Sequence, residues 1–341
     1  MSLERPGIIE VFKNRHGDRL TPFHIRVQLW MLLFGPAPIK IRLWNLFTKS
    51  LSPWHLRERA IEAMRGGLLA FAANLERMDV SLEELRIALR AKMQAEKREK
   101  GYHVGLIADG NRRYGVMMGQ SKSWGHIQGA KAIQNTFLPL ITQIPEISEC
   151  SLYLLSHDNL YNRPEDERRK LDQLFAHEKE NLLKLAEKHN IRYHHAGDMQ
   201  ELQDRMPGMA QGLTELVNKT KGKDGLVVNL CINYQAKTEV GQAAKQWATQ
   251  KIREGATEEE ILVLDNTKVC GELLKEAWIQ EKMDLCIRTG GDYRGSGFPI
   301  NQAWNENCHL SVVKKFLPQI AAQDVVQILY EFSGAERRMG R

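Results

Sequence analysis

The sequence predicts an α/β protein: a mostly parallel, six-stranded sheet flanked by helices, preceded by a helical N-terminal extension. Three observations carry this. From residue 102 onward, short apolar runs alternate with longer amphipathic segments, the pattern of strands joined by crossover helices. The runs are almost wholly apolar, as suits strands covered on both faces. Polar clusters stand directly after several of them, where ligands bind in open α/β sheets.

Size and composition narrow the class. A chain of 341 residues holds one large or two ordinary domains, and 43% apolar with 26% charged residues excludes bulk disorder. The five cysteines, Cys150, Cys231, Cys270, Cys286 and Cys308, show no CxxC spacing. They read as reduced thiols of a cytoplasmic protein, not as a disulfide frame or a zinc site. The net charge of +6 is unevenly placed: residues 1–60 hold ten Lys/Arg and four Asp/Glu, which leaves 38 of each for the rest. No aromatic-basic nucleic-acid module accompanies this excess, so nucleic acid is not an expected partner.

Residues 1–100 form the extension. Its most apolar run, 27–34, is too short to span a bilayer and is closed by Gly35-Pro36-Ala37-Pro38. It starts too late for a secretory signal peptide. Apolar and basic residues alternate in 39–47. Residues 23–47 are therefore a candidate for peripheral membrane contact, with packing against protein as the other reading. Residues 55–100 read as helical. Ser81 and Glu84 fit a capping box, Leu82, Leu85, Leu89 and Met93 form one apolar stripe, and the charged stretch 92–100 reads as a solvated end closed by Gly101. A boundary near residue 100 is expected, with residues 101–341 as the second domain.

The strand-like runs are 104–108, 151–155, 191–194, 226–232, 285–287 and 310–313. A long amphipathic helix is expected from about 165 to 188 and a shorter one over 129–140. Asp109-Gly110-Asn111-Arg112-Arg113 follows the first run. A carboxylate, backbone N–H groups at a helix start and two guanidiniums suit a phosphorylated ligand with a divalent metal; the same residues also make an ordinary turn. Ser156-His157-Asp158-Asn159 and Asn162-Arg163-Pro164 follow the second run, and Asn233-Tyr234 the fourth. After the fifth, residues 288–296 hold two arginines, a serine and three glycines, a set suited to oxygen-rich anions. His126, as a lone histidine, and the pair His194-His195 read as structural.

Taken together, residues 102–341 resemble the cis-prenyltransferase family, which includes undecaprenyl diphosphate synthase. The resemblance rests on residues 103–113, Gly125-His126 with Gly129-Ala130-Lys131, residues 156–164, 229–234, 288–298 and Arg337-Arg338-Met339-Gly340, in the family's order and spacing. It implies a homodimer that uses Mg²⁺ to condense isopentenyl diphosphate with an allylic prenyl diphosphate into a Z-prenyl diphosphate. Asp109 matches the metal-linked aspartate beneath the allylic diphosphate. Gly110, Asn111, Arg112, Arg113 and His126 match the segments around that group. Ser156, Asn159 and Arg163 match the loop that bridges the two substrates. Arg288, Arg294 and Ser296 match the isopentenyl diphosphate site. The terminal Arg338-Met339-Gly340 matches a segment that reaches the partner subunit.

The chain departs from the family pattern in places. Asp292 stands where the family has Glu. The second metal-linked Glu falls on Asn307, with Glu306 one residue away as the candidate replacement. Residues 299–302 and 235–237 differ, one extra residue precedes Arg163, and 176–180 is polar where long-chain members have an apolar tunnel wall. These differences point toward a short product. They leave open irregular coupling of allylic diphosphates or terpene cyclisation on the same fold, and a non-catalytic partner subunit. The retained Asp109, Arg113, Arg288, Arg294 and Ser296 argue against the last.

Overall fold

A capping box starts the first helix of the computed structural model, which describes residues 80–294, 296–298 and 308–335. Ser81 Oγ accepts the Glu84 amide at 3.2 Å, and Glu84 Oε2 accepts the Ser81 amide at 2.8 Å, so two helix-end donors are satisfied reciprocally. Helix α1 (Leu82–Ala95) buries Leu85 and Leu89 completely and packs on the last helix, Ala322–Gly334. The charged stretch 92–100, which starts inside α1, is not wholly solvated. Lys92 is buried, donates to the Ala335 carbonyl and pairs with Glu96 at 3.3 Å. The chain divides into two compact units at Met78/Asp79. Helix α1 goes with the larger unit. An apolar stripe finds a partner wherever the fold supplies one, which local charge density does not reveal. Residues 23–47 lie outside the described residues.

Each of the six apolar runs contains a strand: β1 (Tyr102–Ile107), β2 (Ile147–Ser156), β3 (Arg192–Ala196), β4 (Val227–Tyr234), β5 (Leu285–Arg288) and β6 (His309–Val312). They form one sheet in the order β3-β4-β2-β1-β5-β6, with every pairing parallel. All six residues of β1 are buried, because β1 has a neighbour on each edge and protein on each face. Successive side chains alternate between the faces. Val104, Leu106, Leu152 and Leu230 join the larger core, while Ile107, Tyr153, Cys231 and Cys286 join the smaller. The chain moves from β1 to β2 on one side and later returns to β5 on the other. The carboxyl end of β1 is thus a topological switch point, where crevices open in such sheets.

After β1 the chain forms α2 (Asn111–Met117) and α3 (Lys122–Ala132), then a π-helical turn (Ile133–Phe137) and α4 (Leu138–Ile141). The helix expected over 129–140 therefore begins earlier and encloses His126. Ser121 caps it by accepting the Trp124 amide at 3.1 Å. The added first turns hold Gly125, a poor helix former, and Gly129 lies inside the expected helix. Here they let α3 approach α2: a Cβ on Gly129 would stand 2.2 Å from Asn111 Oδ1. Helix α5 (His157–Asn162) follows β2, and α6 (Glu165–His189) matches the long helix expected. Helices α7 (Met199–Arg205), α8 (Pro207–Thr220), α9 (Ala236–Glu254), α10 (Glu258–Leu262), α11 (Asn266–Lys275) and α12 (Ala322–Gly334) complete the described helices. Among the described residues no helix is long and apolar enough to cross a membrane.

The packing of α1 gives a direct test. Leu89→Ala is expected to lower the free energy of unfolding by about 2–5 kcal/mol, as for other fully buried leucines. Urea denaturation measures it, and a loss below about 0.5 kcal/mol would show that α1 is not part of the cooperative body.

Candidate active site

The parallel register builds the site. It pairs Ile107 of β1 with Tyr153 of β2 and with Arg288 of β5. Strands β1 and β5 therefore end level, β2 runs on to Ser156, and the loops that follow all three lie at one sheet edge. Arg288 is nearly buried, so its guanidinium needs partners. Its Nη2 lies 2.7 Å from Asp109 Oδ2. Its Nη1 donates to Ser296 Oγ at 2.7 Å and to the Arg294 carbonyl. Thr289 clamps the same junction: its hydroxyl accepts the Asp109 amide at 3.0 Å and donates to the Asp109 carbonyl at 2.8 Å.

The other oxygen of Asp109 accepts the Gly110 amide at 2.6 Å and lies 3.2 Å from Arg113 Nη2. Gly110 adopts φ 95 as the N-cap of α2, a left-handed conformation that side chains resist. A Cβ there would also strike the Phe316 ring at 2.5 Å. Arg113 lies over that ring, 5.3 Å from its centroid. Asp292 ties the arginines together, 3.2 Å from Arg294, 3.4 Å from Arg113 and 3.8 Å from Arg288. The Arg294 hydrogen bond first, then the three guanidinium charges, hold the Asp292 carboxyl below its usual range.

A second charged group faces this one. Glu167, buried at the start of α6, lies 3.7 Å from Arg112 and 3.5 Å from Arg163. Arg163 Nη1 is 3.3 Å from His126 Nε2. Guanidinium can only donate, so Nε2 accepts and the imidazole proton sits on Nδ1. Burial, then the Arg163 and Arg112 charges, push the His126 pKa down to about 3. His126 is therefore neutral, and the nearby Glu167, 3.7 Å away, forms no ion pair with it. Ser156 caps α5 by accepting the Asn159 amide at 3.1 Å.

These elements enclose a cavity of about 750 Å³. Asp109, Gly110, Asn111, Arg112, Arg113, His126, Ser156, Asn159, Arg163, Arg288 and Ser296 all line it. Arg294 does not; it is largely exposed and reaches the site through Asp292. Glu306, Asn307 and residues 336–341 lie outside the described residues. Asn233 and Tyr234 belong to β4 and turn to structural partners. Asn233 donates to the Asp198 carbonyl and Glu201, and Tyr234 to Glu239. His195 likewise bonds the Ile232 carbonyl at 2.9 Å. Sequence reasoning missed Thr289, Tyr153, Phe316 and Glu167. Only Glu167 carried a signal, its four-residue spacing from Arg163.

Several buried polar atoms here have no hydrogen-bond partner in the protein: Asn111 Oδ1, Arg112 Nε, Arg163 Nε, Glu167 Oε1 and Arg288 Nε. Buried polar groups are normally satisfied, and the three guanidinium Nε donors among these fit a ligand with many oxygens, while the two acceptors fit water or a ligand donor. Among the described residues Asp109 is the only carboxylate lining the cavity, and no group of three His, Cys, Asp or Glu side chains gathers that could hold a metal. A single carboxylate facing an oxygen-rich anion fits Mg²⁺, which takes most of its ligands from phosphate and water. It does not fit zinc.

Residues 107–340 match the family model described as "Putative undecaprenyl diphosphate synthase". The chain is similar to an undecaprenyl diphosphate synthase of Escherichia coli strain K12, 30% identical over 243 residues that cover 70% of this chain and 89% of that protein. Its fold is similar to the crystal structure of a "probable undecaprenyl diphosphate synthase" from Campylobacter jejuni, with TM-score 0.55, 26% identity, and coverage of 71% of this chain and all of the other. It also resembles in fold the lavandulyl diphosphate synthase of Lavandula x intermedia, with TM-score 0.59 at 21% identity, covering 70% of this chain and 98% of that one.

The neutral His126 has a pH signature. An unfolded histidine gains its proton near pH 6.5, whereas His126 stays neutral until about 3. Its contribution is full above 6.5 and is lost as pH falls from there toward 3. His126→Gln is therefore expected to lose less stability than the parent between pH 6.5 and 4, by roughly 1–3 kcal/mol. Urea denaturation at several pH values checks this, and parallel curves would contradict it.

Proposed function

The chain belongs to the undecaprenyl diphosphate synthase family of prenyltransferases, and we propose that its site condenses isopentenyl diphosphate with an allylic prenyl diphosphate, giving a Z-prenyl diphosphate and free diphosphate. One observation carries the reading. The arginine-rich cavity shares Ala108, Asn111, His126, Leu154 and Arg163 with a second, largely apolar cavity. The two together suit an amphiphile with a diphosphate head and a hydrocarbon tail.

The residues divide the work as follows. Asn111, Arg112, Arg113 and Arg163 hold the allylic diphosphate, whose departure leaves a delocalised allylic cation. Preorganised guanidiniums stabilise the charge that develops on the leaving oxygens. His126, being neutral, offers its Nδ1 proton without adding charge. Arg288, Arg294 and Ser296 hold the isopentenyl diphosphate, so that its double bond faces the allylic carbon. A carbon–carbon bond forms, the carbon–oxygen bond to diphosphate breaks, and one proton leaves the isopentenyl unit. Ser156 and Asn159 lie between the two groups and orient them. Asp109 would hold Mg²⁺, which when bound neutralises diphosphate oxygens as a Lewis acid. No covalent nucleophile is required.

The same reading takes a homodimer as the working form and the cytoplasm as its place, with peripheral membrane contact through residues 23–47. The excess of basic residues in the first 60 supports that contact.

Purified protein with Mg²⁺ and an allylic diphosphate is expected to yield a prenyl diphosphate by mass spectrometry only when isopentenyl diphosphate is added. Product from the allylic substrate alone, or none from both, would sink the reading. Asp109→Ala is expected to lower turnover at least a hundredfold, the order of loss when one charge-stabilising group is removed. Its circular dichroism should be unchanged. Near-parent turnover in this variant would remove Asp109 from the metal role.

A further inference from the structure

The apolar cavity has a polar floor. The cavity measures about 130 Å³ and runs between the sheet, the α3 and π-turn wall, and α6. Its sides are apolar, with Ile133, Leu154, Leu174 and Phe175 among them. Yet Gln134 and Glu178 also line it, and both are buried. Gln134 Nε2 donates to Glu178 Oε2 at 2.7 Å, and Asn181 Nδ2 donates to the same oxygen at 3.0 Å. This bond joins the two helical walls across the cavity. Gln134 sits in the π-helical turn Ile133–Phe137, an extra residue in the helix that re-aims side chains and recurs at functional sites. Leu182, one turn past Glu178, still lines the cavity, and past it the same helix faces carry solid core: Leu138 and Ile141 on one wall, Ala186 on the other, all fully buried.

We propose that the Gln134–Glu178 bond is a stop that limits the hydrocarbon chain to about three isoprene units. The inference rests on the condensation reading and adds its product length. The distance follows from helix rise. Gln134 lies eight residues past His126 and Glu178 eleven past Glu167, so at 1.5 Å per residue the floor is roughly 12–16 Å from the head-group mouth. An isoprene unit adds four skeletal bonds, roughly 4–5 Å when extended, by the same geometry that sets chain reach. A fourth unit would have to displace the pair. The gain from burying its five carbons is offset by the loss of both hydrogen bonds to the Glu178 carboxylate and by the buried polar groups that would be left unsatisfied.

Two readouts on the full-length protein test this. The first is calorimetric titration with unreactive saturated alkyl diphosphates of increasing length. Affinity is expected to rise up to about three isoprene lengths and then level or fall. In Gln134→Ala/Glu178→Ala the break should move outward by at least one unit, while Glu178→Gln, which keeps the volume, should leave it in place. The second is product length by mass spectrometry, where the alanine pair should extend the longest product by one unit or more. If the double variant fails to melt cooperatively, Glu178→Ala alone takes its place. Affinity that keeps climbing past three units in the parent, or a break and product length unmoved in the opened variant, overturns the stop. Absence of turnover in the parent counts against the condensation reading, and the alkyl titration still decides the floor.

Discussion

The contact between Arg288 and Asp109 is the constraint on which the site depends. Arg288 ends β5 almost fully buried, and Asp109 follows β1, so their 2.7 Å separation ties two loops at the sheet's switch point. A guanidinium at that depth is tolerable only when paired and hydrogen-bonded; removing one partner of such a pair costs about 3–5 kcal/mol. Ser296 Oγ and the Arg294 carbonyl complete its shell. The loop after β5 is thereby folded over the same charge that faces the loop after β1. Tyr153 adds a third strand to the arrangement: its hydroxyl donates to the Ser296 carbonyl at 3.0 Å, and its ring stacks on Phe298 at 4.8 Å. One pairing in the parallel register thus fixes both halves of the proposed diphosphate site.

The charge balance explains why this is a site rather than a structural salt-bridge network. Five arginines, Arg112, Arg113, Arg163, Arg288 and Arg294, meet three carboxylates, Asp109, Glu167 and Asp292. Several contacts are 3.4–3.8 Å, long for hydrogen bonds, and Arg288, Arg163 and Arg112 keep an Nε without a partner. Such a set is preorganised for an anion without being satisfied by its own acids. In the proposed function, the apolar cavity on the other side of His126 and Arg163 takes the tail of that anion.

Much of this was legible in the sequence because it is local. Each strand announced itself as a short apolar run, and the polar clusters stood at strand ends because the chain leaves the sheet there. Less was legible where partners come from afar. Gly125 lay outside the helix expected over 129–140, yet it and Gly129 are the surface on which Asn111 rests. Asn233 and Tyr234 read as site residues because they end a strand. But β4 lies two strands from β1 in the sheet order, so their side chains serve other contacts. Glu167 and Tyr153 read as a helix carboxylate and a core aromatic, since nothing in a linear pattern shows which arginine or loop a buried polar group will meet. The polar stretch at 176–180 was visible, but only the 2.7 Å bond from Gln134 shows that one of its residues faces inward.

The central claim is that two diphosphates bind side by side around Asp109 and Arg288. Calorimetry tests it most directly: the protein is saturated with an unreactive allylic thiodiphosphate and Mg²⁺, then titrated with isopentenyl diphosphate. A second site of one per chain is expected, retained under allylic saturation and lost in Arg288→Ala. Competition between the two ligands for a single site per chain would contradict it.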